Sequence, residues 1–326
     1  MERKKNIDIL RVIGLLCIIL AHVVPDDGII FQIRNFDVVL MIIISSYLFI
    51  IKYNGKSKVD LQYLIKRVKR LLLPTWIFLL IFFGILAGFI HYEIKTIIST
   101  FVLHEGIGYV WIIRIYLIVA ILLPLIVPLL KNNKRSTFYI LVLYFIYEIL
   151  ASMNFFNINI LFEDVVAYVF PIMLIVVVTY WIMNNNNRNV VVFSMLNLVI
   201  CMLCFLIIYK VTGQVENTNY MKYPFRIYYL SYGFFASGIL IVFFRNNRIT
   251  NFMHNKLIEF ISKSSLWIYL WHIFFLVITN YFNFNWMIRY IIILIFSILV
   301  TYMQNKIIDI LEKSKINKNL LNIFRG

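Results

Sequence analysis

The first apolar segment of the chain, from Ile7 to Val24, contains three ionisable side chains, Asp8, Arg11 and His22. An ionisable residue inside a membrane span is costly, and by default it suggests function. Eleven α-helical steps rotate the chain by roughly 1,100°, so Arg11 and His22 share one helix face and are about 16 Å apart. This spacing predicts a fixed cation near one membrane surface and a titratable imidazole near the other.

The composition is that of a membrane protein. The chain has 326 residues, of which 62% are hydrophobic and 14% charged, with a mean hydropathy of +0.87. A soluble domain is closer to half apolar and a quarter charged. The net charge of +16 therefore favours loops that face anionic lipid over a nucleic-acid partner. The three cysteines, Cys17, Cys201 and Cys204, lie in apolar runs, so we expect no disulfide framework.

Apolar runs of the length of a membrane span recur along the whole chain. An even number of spans puts both termini on one side, and most of the 31 Lys and Arg residues lie in segments that are cytoplasmic if the amino terminus is cytoplasmic. The sequence thus predicts an all-α polytopic membrane protein with about ten transmembrane helices and both termini cytoplasmic. The expected spans are 7–25, 36–53, 71–90, 110–130, 137–152, 164–183, 190–209, 224–244, 264–282 and 285–304.

A basic amphipathic tail follows the last span. From Asn305 onward, isoleucines, leucines and Phe324 alternate with lysines, a pattern typical of a helix that lies on the inner leaflet. We therefore expect a transmembrane domain over 1–304 and a cytoplasmic tail over 305–326.

Each ionisable residue of the first span has two interpretations. Asp8 lies three positions before Arg11 and can pair with it, which lowers the cost of burying the arginine. Arg11 either snorkels to the inner interface or serves function. His22 is either a packing residue or a general base, since imidazole titrates near neutral pH.

Asp37 begins the second expected span at about the depth of His22. A carboxylate at that level can orient an imidazole and stabilise its protonated form. The alternative is an ordinary carboxylate at a helix start, favoured there by the helix dipole.

A dense basic cluster precedes the third expected span and includes Lys66, Arg67 and Arg70. Positive-inside charge is sufficient to explain it. The functional alternative is an anion site, because arginines bind phosphate bidentately and Arg67 and Arg70, at i and i+3, share one helix face. Such a site would take a cytosolic phosphorylated donor.

Further polar candidates lie in later spans. Trp111 is typical of an aromatic-belt anchor, whereas Arg114, one turn inside the fourth span, suggests a polar cavity. For His272 we favour structural hydrogen bonding over catalysis. The loop histidines lack metal-ligand spacing, so no metal site is expected.

Together these residues resemble the membrane acyltransferase-3 family, bacterial integral-membrane O-acyltransferases that modify surface glycans. The resemblance covers nearly the whole chain and rests on four motifs in the family's order. They are Asp8-x-x-Arg11-x10-His22, Arg67-x-x-Arg70 followed by Pro74, the segment Trp111 to Arg114, and the segment Ser265 to His272. One departure lies in the second span, where the family has an aromatic pair and Ser-Gly and this chain has Met41 to Tyr47, MIIISSY.

The resemblance implies acyl transfer from cytosolic acetyl-coenzyme A or another acyl-coenzyme A to a hydroxyl of an extracytoplasmic or lipid-linked glycan, in the bacterial cytoplasmic membrane. It implies His22 as the base with Asp37 as its orienting partner, Arg11 as a residue that steers the donor arm or polarises the thioester, and Lys66, Arg67 and Arg70 on the donor phosphates. It leaves open a polysaccharide-synthesis complex as a partner. Two other classes stay open, an exporter of lipid-linked or polymeric sugar and a membrane scaffold. Exporters usually place charges near the midplane in repeated halves, and no repeat is visible here.

Overall fold

The computed structural model describes residues 4–26, 28–52, 61–104, 106–133, 135–156, 161–313 and 318–325. Within these ranges the chain forms helices and connecting turns, and no strand occurs. The predicted all-α class of a polytopic membrane protein is confirmed.

We number the α-helices of the described ranges in chain order. A π-helical segment, Phe162–Val166, leads into the eighth, and a 3-10 turn, Thr218–Met221, precedes the tenth. The helices are α1 Lys5–Leu20, α2 Ile29–Arg34, α3 Asp37–Lys52, α4 Leu61–Leu86, α5 Ile94–Phe101, α6 Trp111–Asn132, α7 Arg135–Ser152, α8 Ala167–Met183, α9 Asn187–Thr212, α10 Ile227–Phe244, α11 Asn247–Met253, α12 Lys256–Lys263, α13 Ser265–Thr279, α14 Trp286–Lys313 and α15 Lys318–Arg325.

Among the described residues, eight helical segments are long and apolar enough to cross a membrane, or nine if the bent pair α12 and α13 forms one span. Two of the ten expected spans account for the difference. The segment 7–25 forms α1, which has 16 residues because a turn begins at Ala21. The segment 264–282 forms α13, which has 15 residues and meets α12 at an angle of 78°. The side of the membrane on which the termini lie stays an expectation.

One compact unit comprises Met1–Ala21, Asp26–Asp60 and Ile118–His254. In this unit α3 is central, since α1, α8 and α10 all pack against it. Small residues allow the closest approaches. A Cβ atom on Gly233 of α10 would lie 2.6 Å from Cγ2 of Val39 in α3, and one on Gly238 would lie 2.1 Å from Oγ of Ser194 in α9.

The other compact unit comprises His22–Pro25, Leu61–Leu117 and Asn255–Gly326. Here α13 packs against α4 and α14, and α15 folds back onto α14 and α4. Trp267 Nε1 of α13 donates to the carbonyl of Ile323, 3.2 Å away, and Arg325 forms an ion pair with Glu312 at 3.0 Å. Helix α14 continues to Lys313, past the expected end of the transmembrane domain at residue 304, and that domain boundary stays a prediction.

The close approach of α10 to α3 yields a test. We expect Gly233→Ala to lower the free energy of unfolding by about 1–3 kcal/mol, because the new methyl group overlaps the branched side chain of Val39. The matched control is Gly84→Ala, since a Cβ atom at Gly84 of α4 meets nothing within 4 Å and both changes share the same gain in helix propensity. The measurement is unfolding in mixed micelles followed by tryptophan fluorescence, and equal stability of the two variants would contradict the close packing.

Candidate active site

His22 lies in the turn after α1 and is partly buried. Its ring has two aromatic neighbours in the same compact unit. The ring of His272 stacks on it with a centroid distance of 5.4 Å and an interplanar angle of 23°, and the ring of Tyr109 meets it edge-on at 4.9 Å and 88°. The imidazole predicted to be functional thus contacts one stacked and one edge-on ring.

His272 is completely buried in α13. Its Nδ1 bonds the backbone carbonyl of Tyr269, one turn earlier in the same helix. Because a carbonyl only accepts hydrogen bonds, this Nδ1 carries the proton and Nε2 holds a lone pair. Nε2 is buried, and no described residue gives it a hydrogen-bond partner. His272 therefore combines a structural hydrogen bond with a second, unused ring nitrogen.

Tyr109 ties the loop before α6 to α13. Its carbonyl accepts the hydroxyl of Tyr269, the residue whose own carbonyl holds His272. Burial raises the pKa of the Tyr109 hydroxyl, and the charge of Arg289 opposes that rise. A tyrosine whose pKa is raised stays neutral at physiological pH, so Tyr109 presents an uncharged ring to His22.

Arg114 and Trp111 lie in the first turns of α6, as the sequence predicts. Arg114 Nη1 donates to the carbonyl of Leu103, 3.0 Å away. Leu103 has a φ of 62°, a left-handed conformation that costs a residue with a Cβ atom about 1–2 kcal/mol. The arginine thus stabilises a strained loop in front of α6.

The basic cluster lies on α4, which begins at Leu61 and continues through Pro74 to Leu86. Lys66 and Arg70 are exposed and Arg67 is partly buried, and within the described ranges neither arginine forms an ion pair. Eight residues beyond Arg70, Phe78 packs edge-on against Trp271 of α13 at 5.8 Å. The cluster is therefore about 12 Å along α4 from the level of His272.

Asp37 begins α3 and is 1% exposed. Its Oδ2 is 3.1 Å from Nη1 of Arg34, its Oδ1 is 3.5 Å from Nζ of Lys222, and Oδ1 also accepts the backbone N–H of Val38 at 2.7 Å. Nζ of Lys222 also donates to Oδ1 of Asn35 at 3.1 Å. We call Arg34, Asn35, Asp37 and Lys222 the Asp37 cluster; it joins α2, α3 and the segment before α10.

Sequence reasoning missed both cations of the Asp37 cluster. The signal for Arg34 was present, since it lies three residues before Asp37 and such pairs meet on one helical turn. No signal marked Lys222, which lies 185 positions further along the chain than Asp37. Burial lowers the pKa of Lys222 to about 8, although the charge of Asp37 acts in the opposite direction.

The second carboxylate, Asp8, also has a partner that the sequence did not indicate. Its Oδ2 is 3.2 Å from Nε2 of His254, the residue that follows α11. Lys5 of α1 donates to Oδ1 of Asn251 at 2.9 Å, so two polar contacts join the start of α1 to α11. The pairing of Asp8 with Arg11 stays a prediction.

Two groups of predicted residues are thus placed in defined surroundings. His22 and His272 lie together in one compact unit, whose helix α4 carries the basic cluster. Asp37 has Arg34 and Lys222 as ion partners in the other unit. The orientation of His22 by Asp37 stays a prediction.

The buried lysine predicts how stability depends on pH. The folded chain releases the proton of Lys222 near pH 8, whereas the ordinary pKa of lysine is 10.5. Between these values the unfolded chain binds more protons, so the contribution of Lys222 to stability rises with pH. We expect the wild type to gain stability relative to Lys222→Met between pH 7.5 and about 9.5.

The measurement is unfolding in mixed micelles at each pH, with Lys210→Met in exposed α9 as the matched control. Tyrosines distant from Lys222 titrate alike in all three proteins, so their contribution cancels in the difference. A constant difference between wild type and Lys222→Met would show that Lys222 does not titrate in this range.

The match to a known protein family covers nearly the whole chain. The acyltransferase-3 family model, described as an acyltransferase domain, matches residues 4–303. No curated protein and no solved structure matches the chain. The match includes α1, His22, the basic cluster on α4 and the histidine of α13. The chain therefore belongs to the acyltransferase-3 family and is a multi-pass membrane acyltransferase.

Proposed function

We propose that the protein is an O-acyltransferase that moves an acyl group, most simply acetyl, from cytosolic acyl-coenzyme A to a hydroxyl of an extracytoplasmic or lipid-linked glycan. Its place would be the bacterial cytoplasmic membrane. The observation that carries the proposal is the placement of His22, a partly buried imidazole in contact with the rings of His272 and Tyr109. An imidazole titrates near neutral pH, which suits it to general-base chemistry.

The proposed reaction balances with His22 as the only group that gains and loses a proton. The imidazole accepts the proton of the acceptor hydroxyl as its oxygen attacks the thioester carbon. The bond from that carbon to sulfur then breaks, and the imidazolium returns the proton to the leaving thiolate of coenzyme A. The products are the ester and free coenzyme A, and His22 is again neutral.

The basic cluster supports a donor site on α4. Lys66, Arg67 and Arg70 would bind the phosphates of acyl-coenzyme A, because guanidinium groups form bidentate bonds with phosphate. Helix α4 packs against α13 through Phe78, about 12 Å along the helix from Arg70. Phe78 contacts Trp271, the residue before His272. The pantetheine arm therefore has less than half of a core of about 30 Å to cross.

Four further residues keep supporting roles in this proposal. Arg11 would hold the donor arm or polarise the thioester, and Asp37 would favour the protonated imidazole. Arg114 maintains the loop before α6 through its bond to Leu103, and Trp111 anchors the same helix end. Anionic lipids and a polysaccharide-synthesis complex are proposed partners, and no metal is needed.

The role of His22 is tested by substitution. We expect His22→Ala to reduce O-acyl esters on the surface glycan at least about 100-fold, the usual loss when a general base is removed. The measurement is mass spectrometry of glycan from cells that contain equal amounts of each variant. The control is His91→Ala, which removes an exposed loop histidine and should leave the esters unchanged.

The same cells separate the transferase from the exporter. Esters that persist in His22→Ala would overturn the catalytic assignment. Glycan that is fully esterified but retained inside the cell would favour export. Loss of esters with normal export supports acyl transfer.

The donor site is tested by binding. We expect the double variant Arg67→Ala, Arg70→Ala to weaken acetyl-coenzyme A binding at least about 10-fold, since two charge-assisted hydrogen bonds are lost. The measurement is titration calorimetry of the protein in nanodiscs. The control is Arg188→Ala, Lys256→Ala, which removes the same charge from two exposed positions. Equal affinity of the two double variants for acetyl-coenzyme A would show that Arg67 and Arg70 do not bind the donor, and positive-inside charge would then explain them.

A further inference from the structure

His272 has contacts that a packing residue does not need. The ring is completely buried, and it lies nearly parallel to the ring of His22, with a centroid distance of 5.4 Å and an angle of 23°. One nitrogen is bonded to the carbonyl of Tyr269, and no described residue gives the other a hydrogen-bond partner. A leucine would fill the same space without leaving a buried nitrogen unpaired.

The hydrogen bond of His272 determines which of the two rings can be charged. Its Nδ1–H is committed to a carbonyl, so an added proton would have to go to Nε2. That proton would create a buried N–H group for which the described residues offer no acceptor. A proton taken up by the pair therefore resides on His22, which is the less buried of the two.

A neutral aromatic face stabilises a cation placed over it, and the effect grows when water is excluded. The stacked geometry places the face of His272 against the ring of His22. The loop carbonyl of Tyr109 accepts the hydroxyl of Tyr269, so the residue that holds His272 is itself held. The orientation of His272 in the stack is thus set by its own bond to Tyr269 and by the bond from Tyr269 to Tyr109.

We propose that His272 is a positioning residue whose neutral ring lies flat on His22 and stabilises the imidazolium that His22 forms during acyl transfer. This inference rests on the proposed role of His22 as the base. His272 contacts neither the donor nor the acceptor, and its effect passes through the proton affinity of His22.

The test measures the titration of His22 directly. Protein labelled with ¹⁵N-histidine is placed in nanodiscs, and the His22 signal is assigned by its loss in His22→Gln. The variants are His272→Leu, which fills the space without an aromatic face, and His272→Phe, which keeps a flat ring. His272→Gln keeps a donor for the Tyr269 carbonyl but has no ring.

We expect His272→Leu and His272→Gln to lower the titration midpoint of His22 by about half to one pH unit, while His272→Phe keeps or slightly raises it. The titratable and charged groups of this compact unit other than His272, among them Tyr109, Tyr269, Tyr92, Arg114 and Arg289, are the same in all three variants. If the titration midpoint of His22 stayed at its wild-type value in all three variants, or shifted equally in all three, His272 would have only a structural role.

Kinetics supply a second readout. In His272→Leu the acid limb of the pH–rate profile should move to lower pH by the same amount, with a lower kcat and little change in KM. Misfolding would instead reduce the amount of active protein without moving the limb. If His22→Ala retained acyl transfer, the proposed role of His22 as the base would fail, whereas the NMR midpoints would still decide whether His272 acts on His22.

Discussion

The helices around α3 depend on the ion pairs of the buried Asp37 carboxylate. Taking a charge out of water is costly unless it is paired, and a buried pair that loses one partner is destabilised by about 3–5 kcal/mol. Arg34 and Lys222 supply the compensation from α2 and from the segment before α10. Asn35 extends the cluster to Thr218, whose hydroxyl it contacts at 2.8 Å. These bonds hold α3 in place, and α1 packs against α3.

A different principle organises the surroundings of His22. The rings of His272 and Tyr109 contact it, and the hydrogen bonds of Tyr269 fix both of these residues. Helix α13 is short and rich in aromatic residues, and it contributes both the stacking ring and the contact with α4. Since α4 also carries the basic cluster, one helix joins the region proposed for donor binding to the region proposed for chemistry.

Local patterns predicted the helical class and most of the expected spans. Apolar runs of about 20 residues are legible without tertiary information, because the cost of leaving backbone groups unpaired in lipid permits little besides a helix. The same reasoning overestimated the first and ninth spans. It did not indicate that a turn at Ala21 ends α1 or that α13 ends at Thr279, since apolar residues follow both helix ends.

The sequence by itself determined which ionisable residues the membrane segments contain and in what order, and it was sufficient to identify the family. Arg11, His22, Asp37 and the arginines of α4 could be named from type and spacing, because a charge in an apolar run stands out. Only the tertiary structure decided their partners. Lys222 meets Asp37, and His254 meets Asp8; Tyr109 and His272 enclose His22. Each partner lies far away in the chain, where the packing of helices, not local periodicity, determines which side chains meet.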